Sequence, residues 1–161
     1  MPAEPESFKA RLQQRRAAWT DEEDSLPIPG YGGELVARYR DTSWSEFRAV
    51  AMSAAMSALG NAVPAGKEVE QAVTMLLEAN VGLEAHVDGR VAEIEDETGV
   101  PVKLGLGLAR FLGVDMADVD TDRQAMHLVF HRDKDLMTHA MALVSAQEAR
   151  SERADGELAK N

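Results

Sequence analysis

Residues 24–47 read DSLPIPGYGGELVARYRDTSWSEF, two prolines and three glycines followed by aromatic and basic residues. Pro27 and Pro29 impose an extended approach, and Gly30, Gly32 and Gly33 permit a turn. From Glu34 to Arg40 the chain alternates. Leu35, Ala37 and Tyr39 oppose Val36, Arg38 and Arg40, the period-two rhythm of a strand with one greasier face. Ser43-Trp44-Ser45-Glu46 has capping-box spacing, which predicts a helix opening at Trp44. A turn, a strand and a helix cap account for every residue type in the stretch without a ligand.

On its N-terminal side, residues 6–19 suit a polar, Arg-rich helix in which Leu12 is nearly the only large aliphatic residue before Trp19. Such a segment buries little apolar surface, so residues 1–25 read as a flexible polar tail. On its C-terminal side a helix is expected over about 44–60. There Glu46, Ser53, Ser57 and Asn61 form a narrow polar stripe, while Phe47, Val50, Met52, Met56 and Leu59 cover the rest. A helix so broadly apolar is central in a core or covered by a partner, and burial in the core is the commoner fate.

Residues 60–66, with Pro64, break the pattern. A second helix follows over about 67–80 with Val69, Val73, Leu76 and Leu77 on one face. Residues 82–95 alternate around Asp88-Gly89, a strong short-range hairpin signal. Val100-Pro101-Val102 reads as extended, ahead of a short helix near 104–112. Thr121-Asp122-Arg123-Gln124 is a second capping box, opening a helix to about 131, and Asp135 is placed to cap a last helix running to about 150. The predicted architecture is mainly α (α+β): about five helices with one N-terminal strand and a small β-hairpin. Residues 26–144 form one globular, mostly helical domain, and 145–161 are the end of the last helix and a polar tail.

At 161 residues the chain suits one domain with a real core, and its 45% apolar and 28% charged residues are ordinary for a globular protein. Without cysteine it has no disulfide, thiolate zinc site or cysteine nucleophile. A net charge of −11 opposes phosphate binding. The best basic cluster, Lys9, Arg11, Arg15 and Arg16, runs straight into Asp21-Glu22-Glu23-Asp24. No nucleic-acid partner is expected; the acidity favours solubility or a basic protein partner. No apolar run approaches the roughly 18 residues of a membrane span, and the first residues lack the apolar core of a secretory signal.

Candidate chemistry is thin. Gly105-Leu106-Gly107-Leu108-Ala109-Arg110 begins like a dinucleotide loop, but Arg110 stands where the third glycine belongs. Asp118, Asp120 and Asp122 have the spacing of the first calcium-loop ligands, yet Arg123 and Val129 occupy the positions that need Gly and Glu. His127 and His131 fall four apart on an expected helix, with His139 beyond a turn; Leu128 replaces the glutamate of a zincin. No Gly-x-Ser-x-Gly elbow is present. Neither a catalytic residue, a cofactor nor a metal site is expected. The eight methionines include pairs at i, i+4, Met52 with Met56 and Met137 with Met141. Core packing is their commoner use; as a partner-binding surface, the first choice is Met137, Met141 and Val144 on the last helix.

Taken in order, these short motifs resemble the tail assembly chaperones of long-tailed (siphovirus-type) phages that infect actinobacteria. The resemblance rests on Leu26-Pro27-Ile28-Pro29-Gly30-Tyr31, on Leu35-Val36-Ala37-Arg38-Tyr39-Arg40 and on Trp44. It continues through Val81-Gly82-Leu83, Asp88-Gly89, Pro101-Val102 and the Leu108-Ala109 to Leu112-Gly113 helix. Val129-Phe130, the Asp133 to Asp135 turn and His139-Ala140 complete it. Two departures are His131-Arg132 after Val129-Phe130, where glycine would follow, and Ser145-Ala146-Gln147, where a tryptophan would stand.

The resemblance implies a non-enzymatic protein of the host cytoplasm. It would bind the tape measure protein, keep it soluble and present it to polymerising tail tube subunits, and would be absent from the mature virion. It also implies that this chain is the short form of a frameshifted pair, and a homo-oligomer is compatible with that role. Two other readings remain open: a virion structural protein, such as a head–tail connector or tail subunit, and a small metal enzyme using His127, His131 and His139.

Overall fold

The alternation over 35–40 does produce a strand, and that strand has a neighbour on each side. A computed structural model of the chain describes residues 5–20, 22–43, 45, 48–59 and 66–160. In order along it lie α1 (Pro5–Thr20), β1 (Glu23–Pro27), β2 (Leu35–Arg40), α2 (Arg48–Leu59), α3 (Gly66–Ala79), β3 (Asn80–Val87) and β4 (Arg90–Glu93). They are followed by α4 (Leu106–Phe111), α5 (Asp122–Val129) and α6 (Asp133–Lys160). The strands make one four-stranded sheet in the order β1-β2-β3-β4, and every neighbouring pair is antiparallel.

This corrects the expected architecture of about five helices with one strand and a separate hairpin. The described residues hold six helices, and the strand and hairpin belong to a single sheet. Two physical causes separate the expectation from the fold. Strand β1, EDSLP, is a polar edge strand whose side chains are at best half buried, so it leaves no hydrophobic rhythm, and it begins inside the segment read as a tail. The β2–β3 pairing sets Ala37 against Leu83 across two intervening helices, and periodicity says nothing about partners so far apart.

Other boundaries moved less. The hairpin turn forms at Asp88-Gly89, whose φ values of 51° and 75° match the left-handed pair that this dipeptide favours. Helix α6 starts at Asp133 and runs to Lys160, beyond the expected end near 150 and with Asp135 inside its first turn. SERADGELAK contains no proline and is rich in good helix formers, so the helix continues, and its described side chains there are exposed. Trp44 and Glu46 of the first capping box, and residues 60–65 of the break, lie outside the described residues. Beyond them, α2 packs against α6 and α3, with Met52 half buried and Met56 exposed.

The core sits between one face of the sheet and α3, α5 and α6. Leu35, Ala37, Tyr39 and Leu83 face inward from the strands. Val69, Val73 and Leu76 come from α3, and Leu136, Met137, Ala140, Leu143 and Val144 from α6; all are at most 6% exposed. Burying each large aliphatic side chain contributes roughly 1.5–3 kcal/mol before conformational entropy is set against it. Among the described residues no helix is long and apolar enough to cross a membrane.

One buried polar residue fixes the sheet's only internal irregularity among its described pairings. The register passes from Arg38 opposite Gly82 to Tyr39 opposite Asn80, so Val81 is an extra residue on β3. The Asn80 side-chain amide donates to the carbonyls of Arg38 and Gly82, each at 3.0 Å, and its oxygen accepts the Leu104 N–H at 2.9 Å. Asn80→Ala is expected to cost about 2–4 kcal/mol, because it strips partners from three buried backbone groups at once. Urea unfolding measures this, and a loss below about 0.5 kcal/mol would show that the bulge holds itself.

Candidate functional site

Two buried polar contacts fasten α6 to the sheet. The Tyr39 hydroxyl lies 2.8 Å from His139 Nε2 in the interior, where His139 is 2% exposed and its ring also hydrogen-bonds the Pro27 carbonyl. A neutral ring that donates to Pro27 from Nδ1 accepts the Tyr39 proton at Nε2, so one tautomer satisfies both contacts. The rings of Tyr39 and Phe130 flank that of His139 with centroids 5.6 and 5.4 Å away. Burial lowers the His139 pKa from 6.5 to about 4, opposed in part by the Pro27 hydrogen bond, and burial keeps the Tyr39 phenol protonated.

Two turns further along α6, buried Gln147 takes the place of a missing strand residue. Its oxygen accepts the Thr42 N–H at 3.0 Å and the Thr42 hydroxyl, and its amide donates to the Arg40 carbonyl at 3.1 Å. The side-chain amide thus pairs with the end of β2 as a backbone peptide would. Asn80, Gln147 and the carboxylates described below carry much of the polar architecture, and sequence reading missed them. A lone Asn or Gln in a helical or strand pattern gives no signal of the backbone groups it will meet.

The residues singled out for partner binding, Met137, Met141 and Val144, lie on the face of α6 turned toward the core. Met137 and Val144 are at most 1% exposed and Met141 is half buried against the same core, so within one chain that face is covered.

The three histidines considered for a metal are not brought together. His139 is buried against Tyr39, while His131 follows the end of α5 and is exposed. His127 bridges two carboxylates, with Nε2 at 2.7 Å from Glu70 of α3 and Nδ1 at 3.1 Å from Asp133 of α6. Arg123 braces the same acid, its Nε 3.4 Å from Glu70 and its Nη2 donating to the Glu70 carbonyl at 3.1 Å. Partial burial draws the His127 pKa down, but hydrogen bonds and charge from Glu70 and Asp133 outweigh it, and the net direction is upward. Among the described residues, no group of three His, Asp or Glu side chains is arranged to hold a metal ion.

The aspartates and glycines of the other motifs serve helix ends. Asp122 accepts the Leu106 N–H at 2.9 Å and so caps α4 from the start of α5. Gly105, at φ 105°, leaves the space that this carboxylate fills. The predicted capping box forms as read, with Thr121 accepting from the Gln124 N–H at 3.2 Å and Gln124 accepting in return. Neither nucleotide nor calcium chemistry is needed to explain either stretch.

The outer face of the sheet carries a charge ladder. Arg38 meets Glu23 of the neighbouring β1 at 3.2 Å and, across β3, Glu93 of β4 at 2.9 Å, and its Nε lies 3.4 Å from Glu84, an ion-pair distance without hydrogen-bond alignment. Gly82, directly opposite, makes room, since a Cβ there would stand 2.5 Å from the guanidinium. Concavities open beyond these side-chain contacts, one of them, of about 520 Å³, beside Tyr31, Val129 and His131. A cleft of about 550 Å³ near the middle of α6 is bordered by Glu22, Asp41, Glu148, Glu152 and Asp155 around Arg48 and Arg150. A groove of about 410 Å³ at the far end of the sheet is apolar, lined by Leu35, Ala85, Val87, Ile94, Phe111 and Leu112 with Tyr31 and Glu34 at its sides.

His139 and His127 give stability opposite pH dependences. His139 has a folded pKa below its unfolded one, so the unfolded chain takes up protons first. Stability is expected to fall as pH drops below about 6.5 and to level off below about 4, a loss on the order of 3 kcal/mol. The double variant Tyr39→Phe, His139→Leu should flatten that acid limb in urea melts at pH 7 and 4.5. His127 has the reverse sign. Its bridge is complete below pH 6.5 and is lost as pH rises through its raised folded pKa, so His127→Gln should cost more at pH 6 than at pH 8.5. An equal cost at both values would mean the bridge does not depend on the imidazolium.

Compared with known proteins, the chain matches no protein-family model, no curated protein and no solved structure.

Proposed function

We infer that the chain works by binding another protein, as a tail assembly chaperone that holds a phage tape measure protein soluble while tail tube subunits assemble on it. The observation that carries this reading is the ordered run of motifs from Leu26 to Ala140. Its first two members are the strands and turn of the β1–β2 hairpin, in which Tyr31 donates its hydroxyl proton to the Val129 carbonyl. Support also comes from how the reactive side chains are used. His139 is spent on Tyr39 and Pro27, and His127 on Glu70 and Asp133, which are structural duties. A net charge of −11 suits a protein that keeps an apolar client in solution. On this reading the host cytoplasm is the working compartment, and the finished particle lacks the protein.

Co-expression with a tape measure protein of a long-tailed actinobacterial phage tests the client directly. The expected result is a several-fold rise in soluble tape measure protein that co-purifies with this chain. Equal insolubility with and without the chain would end the proposal. Mass spectrometry of purified particles separates it from a virion structural role, because a head–tail connector or tail subunit would be present there in stoichiometric amount.

A further inference from the structure

Large apolar side chains exposed to water cluster when they mark an interface. Two of them here, Val87 and Phe111, are 44% and 55% exposed and stand over the apolar groove at the far end of the sheet. Two more, Phe8 and Leu12, are 57% and 50% exposed on α1. Four residues apart, they sit on successive turns of one side of that helix. Among its described side chains, at 7–15 and 17, all are exposed, and Phe8 and Leu12 are the large apolar ones.

We propose that α1 of one copy seats Phe8 and Leu12 in the Val87/Phe111 groove of a second copy, and that two chains exchange their helices in this way about a twofold axis. Charge selects the occupant. Residues 1–20 carry Lys9, Arg11, Arg15 and Arg16 against Glu4 and Glu6, a net of +2, so residues 21–161 carry −13 of the total of −11. The groove lies on that acidic remainder. Its one charged lining residue is the exposed Glu34, and Asp88 and Glu95 adjoin the lining residues Val87 and Ile94, against two cations, Arg110 beside Phe111 and Arg90 across the hairpin from Val87. A helix bearing Lys9 and Arg11 beside its apolar plug complements this rim, whereas two groove faces brought together would repel.

The chain's own α1 does not fill the groove. It joins β1 at Glu23, which pairs with Arg40 at one end of the sheet, while the groove opens beside Leu35 and Ala85 at the other. A reciprocal exchange satisfies both exposed sets twice over, the arithmetic of an isologous dimer.

The absence of native cysteine makes the test direct. Full-length Leu12→Cys and Phe111→Cys variants, mixed and oxidised, should give a disulfide-linked pair of chains in several-fold excess over Leu12→Cys mixed with Val100→Cys. Val100 is 55% exposed and lies outside the groove. In sedimentation, Phe8→Ser/Leu12→Ser and Val87→Ser/Phe111→Ser should each weaken the dimer by about tenfold or more. Mixing those two variants should recover part of the association, since one intact plug then meets one intact groove.

Thermal melts confirm that each variant is folded. Raising salt from about 0.05 to 0.5 M should also weaken the dimer, because the flanking charges are exposed. The proposal is overturned by a chain that stays monomeric at about 200 μM, by a dimer indifferent to both variant sets, or by equal cross-linking to Cys at 100. A double variant Leu12→Cys/Phe111→Cys that closes within one chain would overturn it too, by making the occupant the chain's own helix. None of these readouts depends on the tape measure protein, so the dimer and the chaperone reading stand or fall separately.

Discussion

The buried hydrogen bond between Tyr39 and His139 is the constraint around which the rest of the molecule is arranged. Tyr39 sits on a strand with partners on both sides, and His139 on a helix that lies across the sheet. Polar groups of this kind are costly to bury unless their partners are fixed. The pair therefore permits one placement of α6: the imidazole must reach both the phenol and the Pro27 carbonyl, which belongs to the edge strand. One ring thus ties β1, β2 and α6 together. Gln147, two turns on, repeats the arrangement at the end of β2, so the helix is fixed in rotation as well as position. The apolar residues between them, Ala140, Leu143 and Val144, then have no choice of neighbour.

How much of this was legible depended on whether the cause lay within a few residues. Alternation at 35–40, the left-handed Asp88-Gly89 turn and the Thr121–Gln124 box are local devices, and each stands where its sequence put it. The face of Met137, Met141 and Val144 was equally visible as a stripe on a helix. Periodicity names a face without naming what covers it, and in the single chain the cover is the protein's own core. Strand β1 was invisible because an edge strand of Glu, Asp, Ser, Leu and Pro needs only one strand's hydrogen bonds and little burial. Pro27 fits there for the same reason, since an edge position tolerates a residue without an N–H. The union of β2 with β3 was invisible because it joins residues separated by α2 and α3.

Of the candidate sites, the histidine reading shows most clearly why spacing is a weak guide. His127 and His131 have the separation that brings two ligands to one helical face, but α5 ends at Val129 and the second lies beyond it. Chain spacing implies a shared face only while the helix lasts. The feature that does organise His127 is a carboxylate 57 residues earlier in the chain, and no local pattern announces it. The same holds for Asp122, which reads as one of three evenly spaced acids and acts as the cap of the preceding helix.

Charge gives the molecule its remaining asymmetry. A body at −13 repels copies of itself and every other acidic surface in low salt, so its contacts with proteins must be either small and dry or supplied with cations from outside. The outer sheet face cannot supply them, because Arg38 is already shared among Glu23, Glu84 and Glu93. Arg150 is likewise held by Glu22 and Asp24 at the acidic cleft. The cations of α1 have a different standing. They ride on a helix whose described side chains are exposed, beside the two aromatic and aliphatic residues that a dry contact requires. Attraction and burial are therefore carried by one short element. An acidic protein built this way keeps its solubility over most of its surface and confines association to the place where that helix can dock.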